Sequence, residues 1–173
     1  MTQTTIPNGS SKPQPDQQNG FGVTDIKTMK GLSGLELLRK VVSGDLPAPT
    51  MGRTLNFRMR EVEHGRVLFV GTPGAEHMNP LGTVHGGYAS TIMDSALGCA
   101  VHSTCDVGFG STTIEFKVNL VRPIMPDTGE VFCEGKVVHA GRTIATSEAT
   151  LKTKDGKLLA HGTQTCMKFR IGG

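Results

Sequence analysis

One long apolar segment dominates the middle of this 173-residue chain. From residue 88 to residue 101, pairs of apolar residues recur every four positions: Tyr88-Ala89, Ile92-Met93, Ala96-Leu97 and Ala100-Val101. The positions between them are mostly small: Ser90, Thr91, Ser95, Gly98 and Cys99. A helix of this kind can be surrounded by protein on all sides. It constrains the fold strongly, because the rest of the chain has to supply the layer that covers it.

Segments with period-two alternation of apolar residues flank this helix on both sides. They predict six strands, two before the helix and four after it: 53–62, 66–72, 112–121, 130–139, 142–153 and 158–169. The Asp155-Gly156 pair is a strong hairpin turn between the last two strands. In the strand over 112–121, the alternation places Ile114, Phe116, Val118 and Leu120 on one face. The predicted fold class is therefore α+β, with an antiparallel sheet wrapped around one long central helix.

The N-terminal part of the chain differs in composition from the rest. Residues 1 to about 20 are rich in Gln, Pro, Asn, Ser and Thr, and too few apolar side chains are present to offset the entropy of ordering. We predict a disordered polar tail over 1–30 and a single domain over 31–173. That domain opens with a short helix, whose start is marked by a capping box of Ser33 and Glu36.

Composition narrows the class of protein. The net charge is only +3, and the basic residues are scattered rather than gathered into a patch, which argues against nucleic-acid binding. No apolar run approaches the ~18 residues of a membrane span. The four cysteines show neither zinc spacing nor a C-x-x-C pair, so we predict free thiols in a reducing compartment. We expect a cytoplasmic protein with no metal site and no membrane partner.

A single carboxylate, Asp94, interrupts the apolar helix. Burial of an unpaired carboxylate is costly, so a chain that keeps one either pairs it or uses it chemically. Asp94 shares a side of the helix with Gly87, Ser90, Thr91 and Gly98. These small residues would let another molecule approach the backbone closely. On the residues alone, a structural carboxylate bonded to a hydroxyl or a cation and a functional carboxylate are both open.

The same helix opens with His85, Gly86 and Gly87. A helix start presents unpaired N–H groups and a partial positive charge, which suit an anion or a polarised carbonyl. An acyl carbonyl bound to the N–H of Gly86 or Gly87 would lie in an oxyanion hole. The alternative is that the glycines only permit tight packing, and that His85 caps or orients the helix rather than reacting.

The spacing of these two features bears on assembly. Asp94 lies eight residues beyond Gly86, which is ~12 Å along a helix. A base has to lie within ~3 Å of the group it serves, so Asp94 cannot reach a carbonyl held at the start of its own helix. If both act on one substrate, they come from different copies of the chain. The spacing therefore predicts a homodimer in which the two helices run antiparallel.

Two stretches carry a family pattern. The first is NPLGTVHGG over 79–87 followed by Asp94, and the second is TTIEFKVNLVRP over 112–123. They resemble the PaaI-like hotdog-fold acyl-CoA thioesterases, and the resemblance covers about 50–170. It implies a helix wrapped by an antiparallel sheet, homodimers with interfacial active sites, and often dimers of dimers. It also implies hydrolysis of an acyl-CoA thioester without a cofactor other than the CoA of the substrate.

The resemblance implies roles for individual residues. Gly86 would supply the N–H of the oxyanion hole, while Asn79 and His85 would support the thioester end of the substrate. Asp94, from the partner subunit, would act as a general base on water or as a nucleophile. Thr113 would help to orient the water.

Further residues would complete the substrate site. Thr112, beside Thr113, leaves the register of the hydroxyl open by one residue, and Gly87 would line the carbonyl-binding end. Arg142 and Lys152 are candidates for contacts to the CoA phosphates, with ordinary solvated charges as the alternative. A non-catalytic acyl-CoA-binding protein and a hydratase-type hotdog protein stay open as alternatives to the hydrolase.

Overall fold

The computed structural model describes residues 20–172, which form a six-stranded sheet, a long central helix and three short helices. In chain order the elements are α1 (Ile26–Gly31), α2 (Gly34–Ser43), α3 (Thr50–Thr54), β1 (Phe57–Glu63), β2 (Arg66–Gly71), a 3-10 turn (Ala75–His77), α4 (Gly86–His102), β3 (Phe109–Leu120), β4 (Val131–Ala140), β5 (Ile144–Thr153) and β6 (Leu158–Arg170). The strand order is β1-β2-β4-β5-β6-β3, with every neighbouring pair antiparallel. The predicted α+β class is confirmed.

Helix α4 lies at the centre of the core and contacts all six strands. Ile92, Met93, Ala96 and Leu97 are completely buried in the main apolar cluster. The four-residue period of the sequence accounts for this burial, because it gathers these side chains on one broad side of the helix. Asp94 and its small neighbours lie on the other side, which is only half-buried.

Strand β3 ends the strand order, so one of its edges has no strand partner among residues 20–172. A bulge between Thr113 and Glu115 interrupts its alternation. The residues opposite the buried positions of β6 are Thr113, Phe116, Val118 and Leu120. The predicted apolar face is thus present from Phe116 onward, and the bulge adds Thr113 to it. Phe116 and Leu120 are nevertheless 41% and 56% exposed, because they lie at the open edge.

The first predicted strand, 53–62, begins later than predicted. Thr50–Thr54 forms helix α3, which follows Pro49 at its N-cap. Asn56 then adopts a left-handed conformation with φ of 49°, and the strand starts at Phe57. Asn tolerates this conformation better than most residues, so it can turn the chain sharply between a helix and a strand.

Part of the predicted tail has a defined structure. Residues 1–19 lie outside the described residues, and the prediction of disorder for them stays a prediction. Asp25, however, caps helix α1 by accepting a hydrogen bond from the Thr28 N–H at 3.0 Å. Helix α1 therefore lies almost entirely within the stretch predicted as a tail, and a local capping signal accounts for its start. The Ser33–Glu36 capping box at the start of α2 is confirmed.

Two properties of the described chain bear on its chemistry. All four cysteines are free thiols, as predicted: Cys99, Cys105, Cys133 and Cys166. None of the helices within residues 20–172 combines the length and the apolar character needed to cross a membrane.

Candidate active site

Asp94 is held by hydrogen bonds from two strands. Its Oδ1 accepts from Thr113 Oγ1 at 3.1 Å and from Gln164 Nε2 at 2.7 Å. Gln164 Nε2 also donates to Thr113 Oγ1 at 2.5 Å. Helix α4, β3 and β6 each contribute one residue to this group, which we call the carboxylate cluster: Asp94, Thr113 and Gln164. The hydroxyls of Ser90 and Thr91 take no part, because they donate to helix carbonyls one turn earlier.

The thiols beside the carboxylate cluster are protonated at neutral pH. Burial, together with the nearby Asp94, raises the pKa of Cys99 to about 12. The same two causes raise the pKa of Cys166 to about 11. Neither thiol competes with Asp94 as a base or a nucleophile near neutral pH.

Sequence reasoning did not identify Gln164, although its strand carries a usable signal. Buried and more exposed residues alternate along β6, and Gln164 occupies a buried position with 1% exposure. A buried amide needs hydrogen-bond partners. A polar side chain at a core-facing position of an alternating strand therefore predicts a polar partner nearby, and that partner is Asp94.

The start of α4 carries one open N–H group. His85 is the N-cap, and its Nδ1 accepts a hydrogen bond from the Gly87 N–H at 2.8 Å. A neutral imidazole that accepts at Nδ1 carries its proton on Nε2, which makes the exposed ring of His85 a donor. In the part of the chain that the structure describes, the Gly86 N–H has no acceptor. Gly86 therefore offers the open donor of the pair.

Asn79 fastens the loop that leads into this helix. Its Nδ2 donates to Thr83 Oγ1 at 2.8 Å, and its Oδ1 accepts from the N–H groups of Leu81 at 2.9 Å and Thr83 at 3.3 Å. The predicted contact with the thioester end would have to use the second Nδ2 proton. The contacts that the structure gives Asn79 fix the approach to His85.

The helix start and the carboxylate cluster lie near opposite ends of β3. A Cβ added at Gly86 would lie 2.7 Å from Leu120 Cδ1, at the C-terminal end of the strand. Thr113, which bonds Asp94, lies near the N-terminal end. The two halves of the predicted site are therefore separated within one copy of the chain, as the helical spacing predicts.

The structure separates the remaining predicted residues. Thr112 lies opposite Met167, on the sheet face away from Asp94. The hydroxyl that bonds Asp94 is therefore that of Thr113. Arg142 is exposed in the turn before β5, while Lys152 lies near the far end of that strand. Ten residues of strand correspond to ~33 Å, so these two basic residues do not serve one phosphate group within a single copy. Lys152 also lies opposite Phe132, on the face away from α4.

Comparison with known proteins places this chain in a family. A family model described as "Thioesterase superfamily" matches residues 81–160. A Saccharolobus solfataricus protein named as an esterase is 30% identical to this chain over 104 residues. The match covers 60% of this chain and 72% of that protein. The chain belongs to the thioesterase superfamily.

This thioesterase-superfamily chain is also 28% identical to human acyl-coenzyme A thioesterase 13 over 131 residues, which cover 74% of the chain and 91% of the human protein. A protein of Halobacterium salinarum, likewise named as an esterase, is 35% identical over 95 residues, or 52% of the chain. The chain spans 61% of the length of that relative and 64% of mouse acyl-coenzyme A thioesterase 13.

Solved structures are similar to this chain over most of their length. A thioesterase family protein from Silicibacter pomeroyi is 28% identical with a TM-score of 0.68, covering 79% of this chain and 98% of that chain. A Streptococcus mutans protein bound to acetyl-CoA is 27% identical with a TM-score of 0.61, covering 67% and 90%. The Escherichia coli PaaI protein shares the fold, with a TM-score of 0.64 at 20% identity and coverage of 72% and 86%. The predicted resemblance to the PaaI-like hotdog family is confirmed.

Proposed function

We propose that this protein hydrolyses an acyl-CoA thioester to a carboxylic acid and free CoA. The observation that carries the proposal is the pairing of an anchored carboxylate, Asp94, with an open N–H at Gly86. The names of the curated relatives support the reaction class, and the acetyl-CoA in the Streptococcus mutans structure supports the substrate class. Thioester hydrolysis needs a base, a donor for the oxyanion and an attacking water. CoA enters as part of the substrate, and the reaction requires no further cofactor.

The residues divide the reaction between them. The thioester carbonyl oxygen accepts from the Gly86 N–H, where the positive end of the helix dipole favours the negative charge that develops on that oxygen. Asp94 takes a proton from water, the water oxygen bonds to the carbonyl carbon, and the bond to sulfur breaks. The proton then passes to the departing CoA thiolate. In the alternative first step, Asp94 attacks the carbonyl carbon directly, the C–S bond breaks and the CoA thiolate departs. Water then hydrolyses the resulting acyl-enzyme anhydride.

A second copy of the chain completes the site in this proposal. Strand β3 has 12 residues and an open edge within the described range, and Ile114, Phe116 and Leu120 on it are exposed. Two such edges pair antiparallel about a two-fold axis. The Leu120 end of one copy, with Gly86 beside it, then meets the Thr113 end of the other. Each dimer holds two sites, and further pairing to a dimer of dimers is compatible with them.

Residues that bind the rest of the substrate, beyond the thioester, form no distinct sequence motif. Among the basic candidates, Arg142 lies at the Asp94 end of the sheet and is our choice for a CoA phosphate contact. His85 Nε2 is a second donor near the carbonyl. We expect a cytoplasmic location, because four free thiols persist in a reducing compartment.

The base is tested with Asp94→Asn and a panel of acyl- and aryl-CoA esters, following the release of free thiol. Loss of a general base lowers kcat by about 10²- to 10⁴-fold. Asp45→Asn is the matched control, since Asp45 is exposed in the turn after α2 and should leave kcat unchanged. Full activity of Asp94→Asn would rule out Asp94 as the base or nucleophile. Binding of CoA esters by the wild-type protein without thiol release would favour the acyl-CoA-binding alternative.

The shared site is tested by mixing two inactive variants, Asp94→Asn and Gly86→Val. The valine side chain would collide with Leu120 and block the N–H. Random pairing of equal amounts gives about one half heterodimers, each with one intact site, so about a quarter of wild-type activity should return. No recovery, with heterodimers demonstrated by mass, would place Gly86 and Asp94 in the same copy and overturn the interfacial site.

A further inference from the structure

The hydrogen bonds to Asp94 are distributed unequally over its two oxygens. Both donors, Thr113 Oγ1 and Gln164 Nε2, bond to Oδ1. Within residues 20–172, Oδ2 accepts no side-chain hydrogen bond. A carboxylate oxygen that already accepts two hydrogen bonds is a weaker base than one whose lone pairs are open.

We propose that Gln164 is a positioning residue that anchors Asp94 through Oδ1 and thereby makes Oδ2 the reactive oxygen. The inference rests on the proposed function, because it takes Asp94 as the base or nucleophile. It assigns to Gln164 a role that the sequence pattern of Asp94, Gly86 and Thr113 does not contain.

Gln164 anchors Asp94 more firmly than Thr113 does, because Gln164 lies in the more rigid part of the sheet. Gln164 is 1% exposed, and its strand β6 is hydrogen-bonded on both sides, to β5 and to β3. Thr113 lies on the edge strand next to a bulge and is exposed. The Gln164 amide also donates to Thr113 Oγ1 at 2.5 Å, so it orients the hydroxyl as well as the carboxylate. Loss of the amide therefore releases both partners.

The orientation of the Gln164 amide is set by its two acceptors. Nε2 carries two protons, and its two acceptors are Asp94 Oδ1 and Thr113 Oγ1. The reversed amide would bring Gln164 Oε1 against Oδ1, acceptor against acceptor, unless Asp94 were protonated. In the observed orientation Oε1 is buried without a donor in the described part of the chain. An unpaired buried acceptor is destabilising, and the two hydrogen bonds that Nε2 donates offset this cost.

Within residues 20–172 of one copy, few other ionisable groups lie near the carboxylate. Cys99 on α4 and Cys166 on β6 are protonated thiols near neutral pH. On β5, Ala145 and Ser147 lie opposite Cys166 and Gln164 and do not ionise. The charged residues of β3, Glu115 and Lys117, lie opposite exposed or half-exposed threonines of β6, on the other face of the sheet. His85, a second titratable group of the proposed site, makes no hydrogen bond to Gln164 in the described chain. A pH dependence changed by substitution of Gln164 therefore reports on Asp94.

The proposal is tested with Gln164→Met, which keeps the length of the side chain and removes both donors. We expect kcat to fall about 10- to 100-fold, because a base displaced by about 1 Å loses up to 10²-fold. KM should change less than about threefold, since Gln164 does not touch the substrate. The acid limb of the kcat/KM profile should move to higher pH, because loss of donors to the ionised form favours protonation. Gln164→Glu should move it further, since it sets a second carboxylate beside Oδ1.

Control variants distinguish a loss of Asp94 positioning from misfolding and from failure of the proposed hydrolase function. Thr163→Val changes the neighbouring exposed residue on the other sheet face and should leave both kcat and the acid limb unchanged. If Gln164→Met does not fold, Gln164→Asn keeps the amide but is too short to reach Asp94, and the same profile is expected. Unchanged kcat and acid limb in a folded Gln164 variant, with Asp94→Asn inactive, would overturn the positioning role and leave the hydrolase intact. Activity in Asp94→Asn would overturn the proposed base, independent of Gln164.

Discussion

Gly135 in β4 lies where the sheet and helix α4 approach each other closely, and Gly135→Ala tests that approach. A Cβ at this position would lie 2.7 Å from the Ala96 carbonyl carbon and 3.2 Å from the Leu97 nitrogen. It would also make hard contact with the Ala96 carbonyl oxygen. These are backbone atoms of α4, so rotation of a side chain cannot relieve the contact. We predict that the substitution pushes α4 away from the sheet.

The size of the effect follows from the overlap. Carbon atoms in contact are ordinarily about 3.5–4.0 Å apart, so the substituted methyl is about 1 Å too close to Ala96. Overpacking of this kind destabilises by about 1–3 kcal/mol. In a domain of this size 1 kcal/mol shifts Tm by about 2–4 °C, so Tm should fall by about 2–12 °C. Ala96 lies two residues beyond Asp94, and an outward shift of α4 should also lower kcat, by up to about 10²-fold.

Thermal unfolding followed by circular dichroism measures the stability, and thiol release from the best acyl-CoA ester measures kcat. Gly31→Ala is the matched control, since a Cβ at the end of α1 would meet nothing within 4 Å. Its Tm should be unchanged or slightly higher, because alanine is favoured over glycine in a helix. A Tm of Gly135→Ala equal to that of the wild type would refute the close packing of α4 on β4.

Two further predictions concern the helix start and the thiols. In Gly87→Ala the new Cβ would lie 2.9 Å from His85 Nδ1, so the imidazole should leave the N–H that it caps. Urea unfolding should then show a free energy of unfolding lower by about 0.5–2 kcal/mol. An unchanged urea midpoint would argue against the cap. Burial raises the pKa of Cys99 to about 12 and of Cys166 to about 11, so the folded thiols keep protons that the unfolded chain loses near pH 9. The free energy of unfolding should therefore fall between pH 9 and 11, by up to about 1.4 kcal/mol per pH unit for each thiol. Equal urea midpoints at pH 8, 9 and 10 would contradict this prediction.

The fold was predictable where periodicity decides the structure. The four-residue spacing from Tyr88 to Val101 and the alternation along β3 to β6 reproduce the elements, because burial against a single core requires those periods. Prediction failed where local geometry overrides periodicity. The alternation of Leu55 with Phe57 resembles a strand, yet left-handed Asn56 separates a helix from β1. The polar composition before residue 31 concealed the cap at Asp25.

The candidate site was predictable in part, and the missing part is set by topology. The sequence left Asp94 as either a paired or a functional carboxylate. In the described chain both of its side-chain hydrogen bonds use Oδ1, so Asp94 is paired while Oδ2 has no side-chain partner. Gln164 lies 70 residues from Asp94 along the chain, and only the order β5-β6-β3 brings the two together. No local motif encodes that adjacency, although the buried position of Gln164 on β6 indicates that it needs a polar partner.

The two glycines at the start of α4, Gly86 and Gly87, have different structural roles. Gly87 gives its N–H to His85 Nδ1, and the absence of a side chain leaves room for that imidazole. Gly86 keeps the open N–H and lies against Leu120, at the end of the exposed edge of β3. A group bound at the Gly86 N–H would therefore lie near the edge where the partner subunit is proposed to pair. In the proposed dimer the Gly86 donor and the pairing edge of β3 meet at Leu120, so a change that loosens the pairing of β3 should weaken substrate binding at Gly86 before it disturbs the anchoring of Asp94 by Gln164.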